Sequence, residues 1–139
     1  MPYRFLEDVS IADIAFEATG KTINELFQSA AEATIVSMAN PKTVKPIVTK
    51  EIKLKAENVN NLLFDFLGEI IFMKDRDAMV YNEVKVEVDE KKMTLKATLK
   101  GDAINPAKQE LRNDVKAVTM HYYEVEHKKD WKARVVLDI

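Results

Sequence analysis

The sequence predicts a single α+β domain, residues 1–139, with two main helices packed on a mostly antiparallel or mixed β-sheet. Two segments have helical periodicity, and the second half of the chain alternates apolar with polar residues, which is typical of strands. A chain of 139 residues fits one domain, and 47% hydrophobic residues suffice for a packed core. The predicted order is strands, helix, strand, helix and four strands, which is typical of the α+β class.

The composition excludes several classes of function. The chain has no cysteines, which excludes disulfides, zinc–thiolate sites and cysteine nucleophiles. A formal net charge of −2 argues against a broad basic surface for nucleic acids. The longest apolar stretch, 62–73, contains two acids and is too short to span a bilayer, and no segment resembles a signal peptide. We therefore expect a cytoplasmic protein.

Both predicted helices begin at a recognisable cap. Thr22 and Glu25 have the spacing of a capping box, and Asn40-Pro41 ends the apolar stripe that follows. Asn58 caps the second helix, and the charged run 74–77 after it predicts a solvated turn. The second helix has the strongest periodicity in the chain, with apolar residues at Val59, Leu62, Leu63, Phe66, Leu67, Ile70 and Ile71.

The remaining segments predict strands and one long loop. Residues 1–17 are expected to be extended, and a strand is predicted over 47–54. Alternation on both sides of a short polar turn predicts a hairpin over 84–99. The irregular segment 101–113 contains an Asn-Pro turn signal, and loops of this length in small domains are often functional.

The two closing strands, predicted over 115–126 and 131–139, allow a test of register. A symmetric turn between them places Thr119 opposite Asp138 and brings Lys116 within reach of the chain end. A slip of one residue would break this grouping. The same register gives one apolar face, made of Val118, Met120, Tyr122, Trp131, Ala133, Val135 and Leu137.

Acidic groups occur at two unusual positions. Asp138 precedes the last residue, so its side chain and the Ile139 carboxylate lie close together and repel each other unless a cation lies between them. Asp13 interrupts an apolar run, and buried acids are rare unless paired or ligating. The residues alone leave two interpretations open: a divalent-cation site, or ordinary acids in solvent at a strand end and on an edge strand.

The basic candidates are few. Lys116, at the start of a predicted strand, is the best of them, although a lysine there is usually a surface residue. Of the two histidines, His127 lies in a charged turn and is expected to be solvated, and His121 is expected to be a packed or edge residue. The chain has no Walker loop, nucleophile elbow or histidine pair at metal spacing.

The chain contains Ala12-Asp13-Ile14, Gly20 with the following helix, the helix containing Asn60, Leu62 and Leu63, the run Lys116 to His121, and Leu137-Asp138-Ile139. Together these segments resemble the archease family across essentially the whole chain. The resemblance implies an accessory protein, not an enzyme, for the GTP-dependent tRNA-splicing RNA ligase, which joins RNA ends carrying a 3′-phosphate or 2′,3′-cyclic phosphate. Archeases promote guanylylation of that ligase, so that it turns over many times, and can broaden its nucleotide use.

The resemblance also implies site residues. The family's metal site corresponds to Asp13, Asp138 and the carboxylate of Ile139, and the expected ion is calcium, with magnesium or manganese as alternatives. The family's lysine corresponds to Lys116, which is expected to assist guanylylation of the ligase catalytic subunit without stable binding of nucleic acid. The sequence differs from the family pattern at Ser10 and near Gln109, where histidines are usual. A rival hypothesis is a chaperone-like module with an exposed apolar patch away from the acids, and a small stand-alone enzyme ranks third.

Overall fold

The protein has an α+β fold, as the sequence predicted. The computed structural model describes residues 2–6 and 13–139. A short 3-10 helix, Pro41–Thr43, follows the first helix. The other described elements, in chain order, are β1 (Tyr3–Leu6), β2 (Asp13–Gly20), α1 (Ile23–Met38), β3 (Val48–Lys55), α2 (Val59–Asp77), β4 (Met79–Asp89), β5 (Thr94–Ala103), β6 (Ala117–His127) and β7 (Trp131–Asp138).

The described strands divide between two antiparallel sheets. The larger sheet has the order β1-β2-β7-β6, and the smaller has the order β3-β5-β4. Helix α1 contacts β2 and β4, and helix α2 contacts β6 and β3, so each helix packs against both sheets. The sequence predicted one sheet under the helices, and the described strands form two. A continuous apolar cluster joins both helices to both sheets.

The predicted helix caps are confirmed. The Thr22 hydroxyl accepts a hydrogen bond from the Glu25 N–H at 3.1 Å, and the Glu25 carboxylate accepts one from the Lys21 N–H at 2.8 Å. In helix α2, the Asn58 side chain accepts from the Asn61 N–H at 2.8 Å. Each side chain satisfies an N–H group that the first helical turn leaves unpaired.

The predicted solvated turn at 74–77 is wrong, because helix α2 continues through Asp77. Lys74 continues the apolar stripe, four residues after Ile70, and its side chain is only 5% exposed. Ala78 ends the helix in a left-handed conformation with φ 50°, and its N–H donates to the Lys74 carbonyl. The charged residues 74–77 therefore form a partly buried helical turn, although their composition is typical of a solvated loop.

The predicted hairpin over 84–99 is confirmed as β4 and β5, but the predicted register of the last hairpin is wrong. His127 lies opposite Trp131, and Thr119 lies opposite Val136 rather than Asp138. Two shifts account for the change. At the turn the pairing moves by one residue, and the β-bulge between Thr119 and Glu124 then moves it by three in the opposite direction, because four residues of β6 face one residue of β7. Among the described residues, no helix combines the length and apolar character that crossing a membrane requires.

Candidate metal centre

Two aspartates face each other across neighbouring strands of the larger sheet. Asp13 is the first residue of β2, Asp138 is the last of β7, and the register pairs them directly. Residues paired in this way have Cβ atoms about 4.5–5.5 Å apart and project from the same face. Both aspartates are half-buried. The structure therefore brings together two acids that are 125 positions apart in the numbering, from 13 to 138.

The hydrophobic core specifies this pairing. Phe16 lies opposite Val135, and both side chains are fully buried. Asp13 is three residues before Phe16, and Asp138 is three residues after Val135. Because successive side chains of a strand point to opposite faces, both aspartates lie on the face of the sheet opposite the core. A slip of one residue would turn the large apolar side chains out of the core.

The backbone of Lys116 joins the same strand end. Its N–H donates a hydrogen bond of 2.8 Å to the carbonyl oxygen of Asp138. The next residue, Ala117, begins β6 and lies opposite Asp138 on the side of β7 away from Asp13. The Lys116 side chain is exposed. Its ammonium group is thus free to approach an anion at the strand end from solvent.

An ion pair and a buried valine position the segment before Lys116. The Lys74 ammonium contacts Asp114 at 2.9 Å and Asp75 at 2.7 Å, and Val115 is fully buried. Burial lowers the pKa of Lys74, but its bonds to the two carboxylates outweigh that effect and raise the pKa above its ordinary value. The bond from Lys74 holds the pKa of Asp114 below its usual range. Helix α2 therefore tethers the chain two residues before Lys116.

The long loop before β6 closes the end of helix α1. The N–H groups of Arg112 and Asn113 donate to the carbonyl oxygens of Met38 and Ser37 at 2.9 and 3.2 Å. The Arg112 guanidinium also donates to the Val36 carbonyl at 3.1 Å. These carbonyls belong to the last helical turn, which has no partners of its own within the helix.

A groove of about 340 Å³ lies beside Asp13. Its apolar wall includes Phe5, Ile14 and Val36, and its polar edge includes Asp13 and Arg112. It opens next to the paired aspartates, and the loop that closes helix α1 forms part of its rim.

The donor set suits a hard divalent cation. Within residues 2–6 and 13–139, no group of three or more His, Cys, Asp or Glu side chains is placed to hold a metal ion. The paired aspartates Asp13 and Asp138 offer two carboxylates. The cations Arg4 and Lys132 on the same sheet pair with Glu17 instead. Opposed carboxylates repel each other, and calcium, magnesium and manganese all bind such oxygen donors. The residues present therefore fit the expected ion.

The predicted third ligand, the terminal carboxylate of Ile139, follows Asp138 directly. Ile139 is half-buried, and its side chain packs against the apolar cluster. That packing restrains the residue after the paired aspartates, which is what a ligand at this position requires.

Both histidines lie away from the paired acids. His127 stacks on Trp131 with ring centroids 4.0 Å apart, at the other end of the β6–β7 hairpin. His121 is exposed on β6, the outer strand of the sheet, which agrees with an edge residue. Neither histidine contributes to the candidate centre.

Gln109, where the family pattern has a nearby histidine, has a structural role in this chain. Its side chain accepts a hydrogen bond from the Asn105 N–H at 2.8 Å and donates to the Ala103 carbonyl at 3.0 Å. It thereby closes the turn after β5. Ser10, the other position of difference, lies outside the described residues.

Sequence reasoning missed Lys74 and Arg112, which support the site. Lys74 could have been found, because it occupies the next position of the apolar stripe in α2. A lysine on a buried stripe needs an acidic partner, and Asp114 supplies it. No sequence pattern marks Arg112, since its hydrogen bond to the Val36 carbonyl of helix α1 depends on how the loop folds back onto that helix.

The comparisons with known proteins agree on one family. The profile described as "Archease protein family (MTH1598/TM1083)" matches residues 3–139. The chain is 34% identical over 132 residues to the protein archease of Thermococcus kodakarensis, covering 92% of this chain and 93% of that protein. It is 33% identical over 141 residues to the protein archease of Methanosarcina acetivorans, covering 99% and 95%.

A solved structure supports the same assignment. The solution structure of Methanobacterium thermoautotrophicum protein 1598 superimposes with a TM-score of 0.81 at 33% sequence identity, covering 99% of each chain. Sequence and fold therefore agree over nearly the full length, and this chain belongs to the archease family.

Proposed function

We propose that this protein acts in the cytoplasm as an accessory factor of the tRNA-splicing RNA ligase, promoting guanylylation and multiple turnover. The proposal includes a divalent-cation site formed by Asp13, Asp138 and the Ile139 carboxylate, with Lys116 beside it. The observation that carries it is the direct pairing of Asp13 with Asp138, joined to Lys116 through its backbone bond to Asp138.

The chemistry of the residues suits a nucleotide held by a partner. A divalent cation, when bound, neutralises phosphate charge and orients phosphate oxygens. The exposed Lys116 ammonium adds a second positive charge at the same strand end, where it can contact a triphosphate or the departing pyrophosphate. Positioning and charge stabilisation of this kind are the main protein contributions to phosphoryl-type transfer. The ligase supplies the nucleophile, and we propose that this protein joins no RNA itself.

The test follows covalent guanylylation of the ligase against time, with this protein in small amounts. Wild-type protein is expected to accelerate guanylylation, and Lys116→Ala and Asp138→Ala are expected to abolish the gain. Lys129→Ala and Asp130→Asn are matched controls, because both lie in the exposed turn at the opposite end of the hairpin. Equal rates with wild-type and Lys116→Ala protein would exclude Lys116 from the mechanism.

The same assay separates the rival hypothesis of a chaperone-like module. If Asp13→Ala and Asp138→Ala proteins accelerate the ligase as well as wild-type protein does, the acids have no part in activation. Equal rates with and without wild-type protein would exclude ligase activation altogether.

A further inference from the structure

The outer strand of the larger sheet carries a large bulge. Strand β6 pairs with β7 at Thr119 opposite Val136, and again at Glu124 opposite Arg134. Four residues of β6, 120–123, therefore face the single β7 residue 135. Within this bulge Tyr122 has a φ of 54°, which is unusual for a bulky side chain. Local strain of this kind is often found at functional sites.

Hydrogen bonds and packing fix the bulge on both sides. The Thr119 hydroxyl donates to the Val136 carbonyl at 3.1 Å and accepts from the His121 N–H at 3.3 Å. On the other side, the Tyr123 hydroxyl donates to the Asn60 carbonyl of helix α2 at 2.7 Å. The Tyr123 ring also packs edge to face on Phe64, with centroids 5.4 Å apart. The bulge is thus built into the fold.

This fixed backbone presents apolar side chains to solvent. Met120 is 68% exposed and Tyr122 is 63% exposed. The His121 ring lies against Tyr122, with centroids 4.2 Å apart. Methionine and tyrosine are enriched in protein–protein interfaces. A rigid aromatic side chain also contributes contact area at a small cost in conformational entropy.

The bulge lies close to the candidate centre. Met120 is four residues after Lys116, so the two are at most about 13 Å apart at about 3.3 Å per residue. A standard protein interface covers about 800 Å² on each partner, which as a disc has a radius of about 16 Å. An interface of that size centred on Lys116 would therefore include the bulge.

We propose that Met120 and Tyr122, together called the bulge patch, dock against an apolar surface of the ligase that borders its nucleotide site. This inference rests on the proposed function and adds the contact surface to it. The patch supplies affinity and orientation, and the metal centre and Lys116 supply the effect on guanylylation. The two parts are therefore separable by experiment.

The test measures the rate of ligase guanylylation against the concentration of this protein. The double variant Met120→Gln, Tyr122→Asn removes the apolar contacts, and asparagine tolerates the left-handed backbone at 122. We expect its half-maximal concentration to rise tenfold or more, with the rate at saturation unchanged. Lys116→Ala should instead lower the rate at saturation. Ile47→Asn is the matched control, because Ile47 is 65% exposed and lies next to the smaller sheet.

The outcomes distinguish the two proposals. Activation by the double variant at the wild-type half-maximal concentration would overturn docking through the patch, and so would an equal shift with Ile47→Asn. If the wild-type protein does not accelerate guanylylation, the proposed function fails and the docking surface fails with it. Circular dichroism checks the fold, and the single variant Met120→Gln gives the same test if the double variant unfolds. If the wild-type protein self-associates, and the variants dissociate without any change in activation, the bulge patch binds a second copy of this chain. That result would overturn the proposal.

Discussion

Replacing Asp138 with asparagine should change thermal stability in opposite directions with and without a divalent cation. In the cation-free protein, the carboxylates of Asp13 and Asp138 lie opposite each other and repel. Asparagine keeps the size of the side chain but removes one charge, so the variant should melt at a higher temperature. With cation present, the variant loses a ligand and should melt at a lower temperature than the wild type.

The expected shifts follow from the geometry. Two unit charges about 5 Å apart repel by about 0.8 kcal/mol in water and about 3 kcal/mol at the effective dielectric of a protein surface. Because both side chains are half-buried, we take about 1 kcal/mol. For 139 residues, an unfolding entropy of about 2.1 cal/mol/K per residue converts this to about 3 °C. A cation at a hundred times its dissociation constant stabilises the wild type by about 2.7 kcal/mol, or about 9 °C.

The assay compares melting curves in a chelator with curves in calcium, magnesium or manganese. Asp130→Asn is the control, because it removes an exposed acid from the turn between β6 and β7. The reasoning is refuted if Asp138→Asn and Asp130→Asn behave alike in both conditions. Equal stabilisation of wild type and Asp138→Asn by the cation would also exclude Asp138 as a ligand.

Three further predictions concern the chain end, a buried ion pair and a glycine. Adding two residues after Ile139 should reduce the rise in melting temperature caused by the cation, and a matched tag at the N-terminus should not. Lys74→Met should lower the free energy of unfolding by about 1 kcal/mol, since methionine keeps the buried stem but loses the ion pairs. In wild type the ion pairs of Lys74 stabilise the fold fully at pH values between the ordinary pKa values of Asp114 and Lys74. It is lost as pH falls through the lowered pKa of Asp114 or rises through the raised pKa of Lys74, which urea melts across pH will show. Gly101→Ala should cost about 1–3 kcal/mol, because an added Cβ would overlap the backbone of β4, whereas Gly68→Ala on α2 meets no neighbouring atom and should be neutral or stabilising in chemical denaturation.

Local signals explain what the sequence could predict of the fold. The caps at Thr22 and Asn58 and the apolar stripes that follow involve residues within a few positions of each other, so both helices were predicted with the right starts. In the bulge of β6, Tyr123 packs against Phe64 of another element. No pattern within β6 reveals that contact, and a symmetric hairpin was therefore predicted with the wrong register.

For the candidate site too, local signals identified the residues, whereas contacts between distant segments determine how they are arranged. Asp13, Asp138 and Lys116 could each be singled out, the first two by their unusual positions and the third as the best basic candidate. The proximity of Asp13 to the other two could not be derived from the residues alone, since it depends on the strand order β1-β2-β7-β6 and on the pairing of β2 with β7. The wrong register still placed Lys116 near the chain end, because the error at this end of β6 is only two residues: Asp138 lies opposite Ala117, next to Lys116, rather than opposite Thr119.

The register of β2 on β7 links the stability of the fold to the position of the acids. Pairing Phe16 with Val135 in the core requires Asp13 and Asp138 to face each other on the other side of the sheet. Relieving their repulsion by a slip of one residue would turn the apolar residues of the slipped strand out of the core, at a cost of about 1.5–3 kcal/mol for each large side chain. The repulsion, at about 1 kcal/mol, is smaller than the loss of even one such side chain. The core therefore keeps the two carboxylates together in the absence of a cation, which is the preorganisation that a metal centre needs.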